Sequence, residues 1–377
     1  MSVIDIQGFD WVPSTSVQAT LKAYLSAAGW YQSHGFGGNG DPSTAWPSAT
    51  ATGRFGFGTA LYFGASTISV IGPAFFGMVK PMPTSADFSI LSCSLKRAST
   101  AITFSQPGGA CVGFYDSNTG VPAISVTLSP IGTLRTWVGD TSTLAMSQLV
   151  PSDPGVFFED VWFNLQFKLN QGTGEVEIRV NNKTVISIPS GTVGTWDSIC
   201  VGSIQGPSLA SYHHDFYIDD LYVLDSDGGV HDNFLGNLRV KTQVTIADGS
   251  HVDSSIGGSS PAATHWQSVN VLRTDDSKYV YTPTIGNYDL YDLDPNQTGP
   301  YARAVQVRIV ARQDDATQRT IKAKLKTSSS LNTGATEFYL NQNYNHWTQI
   351  WNVNPDTSTD FTTSEVNGLE AGYEIIS

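Results

Sequence analysis

Carboxylates are the commonest reactive groups in this chain, with 33 Asp and Glu against 20 Lys and Arg. Their spacing decides what chemistry they can do. A retaining glycosidase needs two carboxyl groups about 5 Å apart, which one strand supplies only at alternate positions on one face. Glu159-Asp160 and Asp219-Asp220 are adjacent, so a regular strand sends each pair to opposite faces. Glu175 and Glu177 share a face, but they flank a hairpin whose other face is apolar. His213, His214 and Asp215, with His231 and Asp232 nearby, lack HxH or HExxH spacing, and neighbouring histidines on a strand diverge. Asp292-Leu-Asp294-Pro-Asn296-Gln-Thr298 alternates oxygen ligands like a calcium loop. Yet Gln297 occupies the sixth position, where the turn needs Gly, and Arg303 the twelfth, where a bidentate Glu belongs. No P-loop, GxSxG or CxxC is present. The expectation is a chain that is not an enzyme, with no catalytic residue, no metal and no cofactor. Cys93, Cys111 and Cys200 read as three reduced structural cysteines, one disulfide being the alternative.

Binding chemistry leaves two candidates. Sugar platforms need aromatic rings at a polar rim, and Trp30, Tyr31, Trp46, Trp137 and Trp196 lie in or beside expected loops. The second is a docking face. Arg303, Arg308, Arg312, Arg319, Lys322, Lys324 and Lys326 fall in two successive strands, and Arg308, Lys322, Lys324 and Lys326 are expected on the outward side. Such a row either discourages edge-to-edge pairing or steers an acidic partner.

The elements that position these residues are strands. In Phe157–Ile188, Val161, Phe163, Leu165, Phe167 and Leu169 alternate with Trp162, Asn164, Gln166 and Lys168. The period of two marks a half-buried strand. Val176, Ile178 and Val180 form a second run, and Asn181-Asn182-Lys183 turns the chain again, because Asn tolerates the left-handed conformation of tight hairpins. Short apolar runs at 74–79, 88–95, 101–104, 111–115, 121–128 and 134–138, separated by turn residues, imply a sandwich or barrel. Leu21–Gly29 reads as one helix stopped by Gly29, residues 32–53 as an exposed loop, and Phe55–Ser69 as a strand pair. In Phe216–Asp225 the buried pair Asp219-Asp220 must either bond loop backbone or mark a bulge. A boundary is placed at 232/233, after which Leu238–Ile246 starts a new run and 248–262 is a polar loop. Further strands are expected near 279–281, 304–312, 320–326, 337–340, 347–351 and 372–376. Only 14% of residues are charged and the net charge is −13, which disfavours nucleic acid as a partner. No secretory signal and no membrane-spanning run is visible.

Phe157–Ile188 resembles the central strands of concanavalin-A-like (laminin-G-like) jelly rolls. YIDDLYVLDSDG (Tyr217–Gly228), followed by NFLGNLRV (Asn233–Val240), is similar to a linkage in tailed-bacteriophage structural proteins. THWQSVN, DDSKYVY, YDLYDL, AVQVRIVARQDDATQRTIKAKL and the closing NPDTSTDFTTSEVNGLEAGYEI resemble their smaller C-terminal β-domain, and GRFGFGTALYF (Gly53–Phe63) is the familiar segment of the first part. The resemblance implies an all-β chain: a jelly-roll β-sandwich over 1–232 and a smaller β-sandwich over 233–377. It implies a non-enzymatic virion protein, a capsid decoration or tail component, present in many copies or as a homo-oligomer among other virion proteins. The alternative is an adhesin that binds host surface polysaccharide.

Overall fold

The computed structural model describes residues 2–10, 12, 18–34, 47–55, 59–63, 74–82, 88–98, 108–129, 132–140, 145–191, 193–205, 216–226, 229–231, 233–270, 276–295, 298–315 and 317–377. The chain divides into two compact units, Met1–Val240 and Lys241–Ser377. Both are all-β. Among the described residues no helix is long and apolar enough to cross a membrane.

The first unit contains β1 (Ser2–Gln7), α1 (Gln18–Ala27), β2 (Tyr31–His34), β3 (Ala49–Thr52), β4 (Thr59–Phe63), β5 (Ala74–Pro81), β6 (Phe88–Arg97) and β7 (Gly108–Asp116). It continues with β8 (Val121–Leu128), β9 (Leu134–Asp140), β10 (Ala145–Pro151), β11 (Phe163–Asn170), β12 (Val176–Val180), β13 (Lys183–Ile188), β14 (Ser198–Gln205) and β15 (Phe216–Asp225). One antiparallel sheet runs β13-β12-β11-β6-β15-β4-β3, with β1 also on β15; the other runs β10-β9-β8-β7-β14-β5-β2. The meanders β7–β10 and β11–β13 lie in opposite sheets, and β14 and β15 return to the interior of each. This wiring is a jelly-roll β-sandwich.

Alternation supplies the core. Phe163, Leu165, Phe167 and Leu169 of β11 and Val176, Ile178 and Val180 of β12 pack with Val112, Phe114, Ile124, Val126 and Val201 of the facing sheet. Phe114 and Phe167 meet edge-on between the sheets at 5.3 Å. Each fully buried side chain of this size contributes about 1.5–3 kcal/mol. Asn181 (φ 49°) and Asn182 (φ 68°) adopt the expected left-handed turn. The helix ends as expected at Gly29 (φ 85°), where the Trp30 N–H donates to the Leu25 carbonyl at 3.0 Å.

Several boundaries move. β11 begins at Phe163, not Val161, because Asp160 (φ 56°) turns the chain and donates its N–H to the Arg97 carbonyl; Val161 is exposed. β2 and β3 enter the loop expected over 32–53. β3 pairs with β4, so the pair expected within 55–69 forms between 49–52 and 59–63. The first unit extends to Val240, past 232/233, because its sheet holds the next segment. Tyr222 donates its hydroxyl to the Gly236 carbonyl at 2.9 Å, and the Val240 N–H reaches Asp220 Oδ1 at 2.8 Å. No strand therefore starts at Leu238. Cys93, Cys111 and Cys200 are buried and free. The run at 101–104 lies outside the described residues.

The second unit contains β16 (Thr245–Val252), β17 (Ser255–Gly257), α2 (His265–Val269), β18 (Tyr279–Tyr281), β19 (Tyr288–Leu293), β20 (Tyr301–Ala302), β21 (Val305–Ala311) and β22 (Thr320–Lys326). β23 (Leu331–Thr333), β24 (Phe338–Tyr339), β25 (Asn345–Trp351), β26 (Phe361–Thr362), α3 (Thr363–Val366) and β27 (Glu370–Ile375) complete it. Its main sheet runs β16-β19-β27-β22-β23, with β24 on β22. β16 and β17 occupy much of the stretch expected as a polar loop over 248–262. β21 pairs with β25 in a separate two-stranded sheet. β21 and β22 are thus not sheet neighbours; Val305, Val307 and Ile309 pack onto the cluster of Ile321, Ala323 and Leu325. Thr362 and Glu365 form a capping box on α3.

Candidate functional site

A bulge in β15 overrides the alternation that would separate Asp219 from Asp220. The β15–β6 register slips between Asp219 and Tyr222, and Asp220 takes φ 51°. At the same place the other neighbour of β15 changes from β4, opposite Phe216–Ile218, to β1, opposite Leu221–Asp225. Arg54 reaches the break between those strands. Its backbone N–H donates to Asp219 Oδ2 at 3.0 Å, and its guanidinium donates to Ser94 Oγ at 2.6 Å and Asp220 Oδ2 at 3.4 Å. The Asp220 N–H donates to Asp219 Oδ1 at 2.8 Å, and the Ser94 hydroxyl to Asp220 Oδ2 at 3.3 Å. With the Val240 N–H on Asp220 Oδ1, all four carboxylate oxygens accept hydrogen bonds. Burial first, then the charge of Asp220, raises the Asp219 carboxyl to about 7, with Asp10 adding to the rise and the two N–H donors opposing it. Burial also raises Asp220, against the pull of the Val240 N–H and Arg54. Both alternatives expected for this pair, bulge and backbone bonding, occur together.

The segment 233–240 crosses the outer face of this sheet as a strap. Phe234 lies 4.0 Å under the Arg179 guanidinium, Gly236 accepts from Tyr222, and Val240 ends on Asp220. Ser92, Ser94, Asn164, Gln166, Asp220 and Tyr222, on or beside this polar outer row, are all buried.

Beyond the strap the same face carries a second group of outward side chains. Tyr217 of β15 sits opposite Lys96 of β6 and Tyr62 of β4, and Trp162 precedes β11 beside Lys96. All four side chains are half-buried. The Lys96 ammonium is 4.1 Å from the Tyr217 ring centroid and 5.4 Å from that of Trp162. Tyr62 and Tyr217 stack with centroids 4.8 Å apart and 29° between planes. That separation matches the strand spacing, so the rings stand side by side and turn their edges outward. The row Trp162–Lys96–Tyr217–Tyr62 is a ridge of aromatic edges around one cation. Ring stacking contributes about 0.5–1.5 kcal/mol, and each cation–π contact about 0.5–1 kcal/mol at such an exposure. Next to it, Phe55 is 46% exposed, with the Arg54 and Arg239 guanidinium carbons each 4.8 Å from its ring.

The aromatic residues expected to bind sugar do not gather here. Trp30, Trp137 and Trp196 are buried and offer no stacking face. Trp137 Nε1 donates to Thr127 Oγ1 at 2.8 Å, and Trp196 packs on Phe114 at 4.8 Å. Tyr31, 37% exposed, is on β2 at the edge of the opposite sheet. Trp46 lies outside the described residues, as do His213, His214, Asp215, Asp232, Asn296 and Gln297. His231 is buried, and among the described residues no three His, Cys, Asp or Glu side chains gather as a metal site. The row was visible in the pattern itself: Trp162 occupies an outward position of the alternating run, where a large ring has no core to fill.

The basic docking face is not free. Lys322 pairs with Glu337 at 3.1 Å, Lys324 with Glu374 at 2.6 Å, and Lys326 with Glu370. β27 brings its acids against β22, so the unit neutralises this row internally. Arg308, on β21, is 3.4 Å from His346 Nδ1 and belongs to the other layer.

No protein-family model matches the chain, and no curated protein matches it in sequence. Solved structures do. A sialidase is 12% identical over 60% of this chain, at a TM-score of 0.36, and the match spans 19% of the sialidase. The carbohydrate-binding module CBM66 from Bacillus subtilis is 10% identical over 52% of this chain and 94% of its own, at 0.32. The galectin LEC-6 of Caenorhabditis elegans is 11% identical over 44% of this chain and 96% of its own, at 0.28. What this chain has in common with such proteins is a β-sandwich architecture.

Proposed function

We propose that this protein is a non-catalytic saccharide-binding protein, with the ligand lying along the Trp162–Lys96–Tyr217–Tyr62 ridge of the first unit. The observation that carries the reading is the ridge itself: three half-buried rings and a lysine on an outward sheet face, next to a strap that crosses the same face. The positive ring edges, the phenol hydroxyls and the ammonium of this row suit the hydroxyl oxygens of a sugar. The nearest acids speak for binding over catalysis. All four oxygens of Asp219 and Asp220 accept hydrogen bonds that hold the bulge, Arg54 and the strap. In this reading the protein is displayed in many copies on the outside of a tailed-phage particle, following the resemblance carried by Tyr217–Gly228 and Asn233–Val240, and the ridge meets host polysaccharide.

The test is a glycan array probed with the full chain, followed by titration of the best ligand. Tyr217→Ala and Trp162→Ala are expected to weaken binding about tenfold or more, which corresponds to about 1.4 kcal/mol. Wild-type protein that binds no glycan, or binding indifferent to both substitutions, refutes the reading. Recovery of the protein at fixed stoichiometry on purified particles tests its setting.

A further inference from the structure

We infer that the ligand of this ridge is an acidic saccharide, one bearing a sugar carboxylate, and that Lys96 is its counter-ion. The inference rests on the saccharide-binding reading and names the ligand class of the same site. Lys80, Lys322, Lys324 and Lys326 each pair with a carboxylate. Lys96 does not: among the described residues its partners are the faces of Trp162 and Tyr217. An aromatic face attracts an ammonium through its quadrupole but leaves the charge unneutralised. Two ring walls also immobilise the flexible stem, so the ordering cost of presenting the ammonium is met before any ligand arrives.

The surroundings favour an anion, even in a chain of net charge −13. The Arg54 guanidinium lands on Ser94, one outward position along β6 from Lys96, and with Arg239 it brackets the exposed Phe55. Asp220 is offset by that guanidinium, and Asp219, raised to about 7, carries a reduced charge at neutral pH. Arg54 and Arg239 thus place two further cations on the segments beside Lys96. A sugar carboxylate at Lys96 would be held by a charge-assisted bond, with its ring against Trp162 or the Tyr217–Tyr62 edge.

Isothermal titration of the full chain with two matched pairs tests this. One pair is hexagalacturonate and its fully methyl-esterified form; the other is 3′-sialyllactose and lactose. They separate a hexuronic from a nonulosonic source of the carboxylate. The expected result is that the acidic member of at least one pair binds about tenfold or more tightly than its neutral partner. That preference should shrink between 50 and 300 mM salt, vanish in Lys96→Met, which keeps an apolar stem between the rings, and return in Lys96→Arg. Equal binding of acidic and neutral members, or a preference that survives Lys96→Met, overturns the inference while leaving saccharide binding intact. Wild-type protein that binds none of the four also overturns it, and the neutral glycans of the array then show separately whether the binding function stands.

Discussion

Replacing Asp220 with alanine strips a buried site of the acceptor for three donors: the Val240 N–H, the Ser94 hydroxyl and the Arg54 guanidinium. Asp220 is 2% exposed, so little water can substitute. Leaving buried donors unpaired costs about 1–3 kcal/mol each when uncompensated, and breaking a buried ion pair about 3–5 kcal/mol as a whole. The 3.4 Å reach of Arg54, which keeps its shorter bond to Ser94, places this pair at the low end. Alanine at φ 51° adds about 1 kcal/mol. Relief of the like charge beside Asp219 offsets part of this loss. The net expectation is a loss of about 3–4 kcal/mol, a large part of the ~5–15 kcal/mol that holds a domain together. Asp220→Asn keeps Oδ1 for Val240 and tolerates the left-handed backbone, so it should lose only about 1–2 kcal/mol. Urea unfolding gives the order wild type, Asn, Ala. Hydrogen exchange over 233–240 should accelerate most in the alanine variant, because the strap loses its anchor. An alanine variant within about 1 kcal/mol of wild type, or an unchanged strap, refutes the claim that Asp220 ties this segment to the sheet.

Asp219 should give a pH dependence of unusual sign. Its carboxyl is raised from the ordinary 3.8 to about 7 by burial and by Asp220, so between those values the folded state holds the proton and the unfolded state does not. Its contribution to stability therefore falls as pH rises from about 4 to about 7, by up to about 4 kcal/mol; the difference between Asp219→Asn and wild type should shift in favour of the variant over that range, and a flat difference refutes it. Gly372→Ala should cost the second unit more than about 3 kcal/mol, because its Cβ would overlap the Asp289 carbonyl where β27 pairs with β19; a small shift in thermal unfolding would contradict this. Lys324→Met should cost about 1–3 kcal/mol, since Lys324 is 7% exposed and bonded to Glu374 and Thr333. Lys322→Ala, whose pair with Glu337 is open to water, should cost under about 1 kcal/mol, and equal losses in denaturant titrations would overturn that ranking.

The legible parts of this chain are those in which neighbours in sequence are neighbours in space. The three strands of Phe163–Ile188 follow from a period of two and an Asn-Asn turn, and the structure pairs Phe167 with Ile178 and Ile178 with Ile186 as that pattern requires. The Gly29 stop and the Thr362 cap are equally local. The aromatic candidates went astray because tryptophans beside turns were taken as exposed, whereas Trp30 and Trp196 join the main core and Trp137 is buried against Thr127 of the adjacent strand. The basic strands read correctly as strands, and the acids that pair with their outward row come from other segments, Glu337, Glu370 and Glu374.

Residue order alone determined the all-β character and which side chains face inward, because backbone pleat and hydrophobic burial act over two to ten residues. Tertiary structure alone decided the site. Tyr62, Lys96, Trp162 and Tyr217 come from four separated stretches, and only the order of strands β11-β6-β15-β4 sets them in one row. The same holds for Asp219 and Asp220: alternation assigns them to opposite faces, and the meeting of β1 and β4 end to end against β15 creates the bulge that turns both toward Arg54. Register between strands distant in sequence is fixed by the packing of the whole sandwich, and no local pattern encodes it.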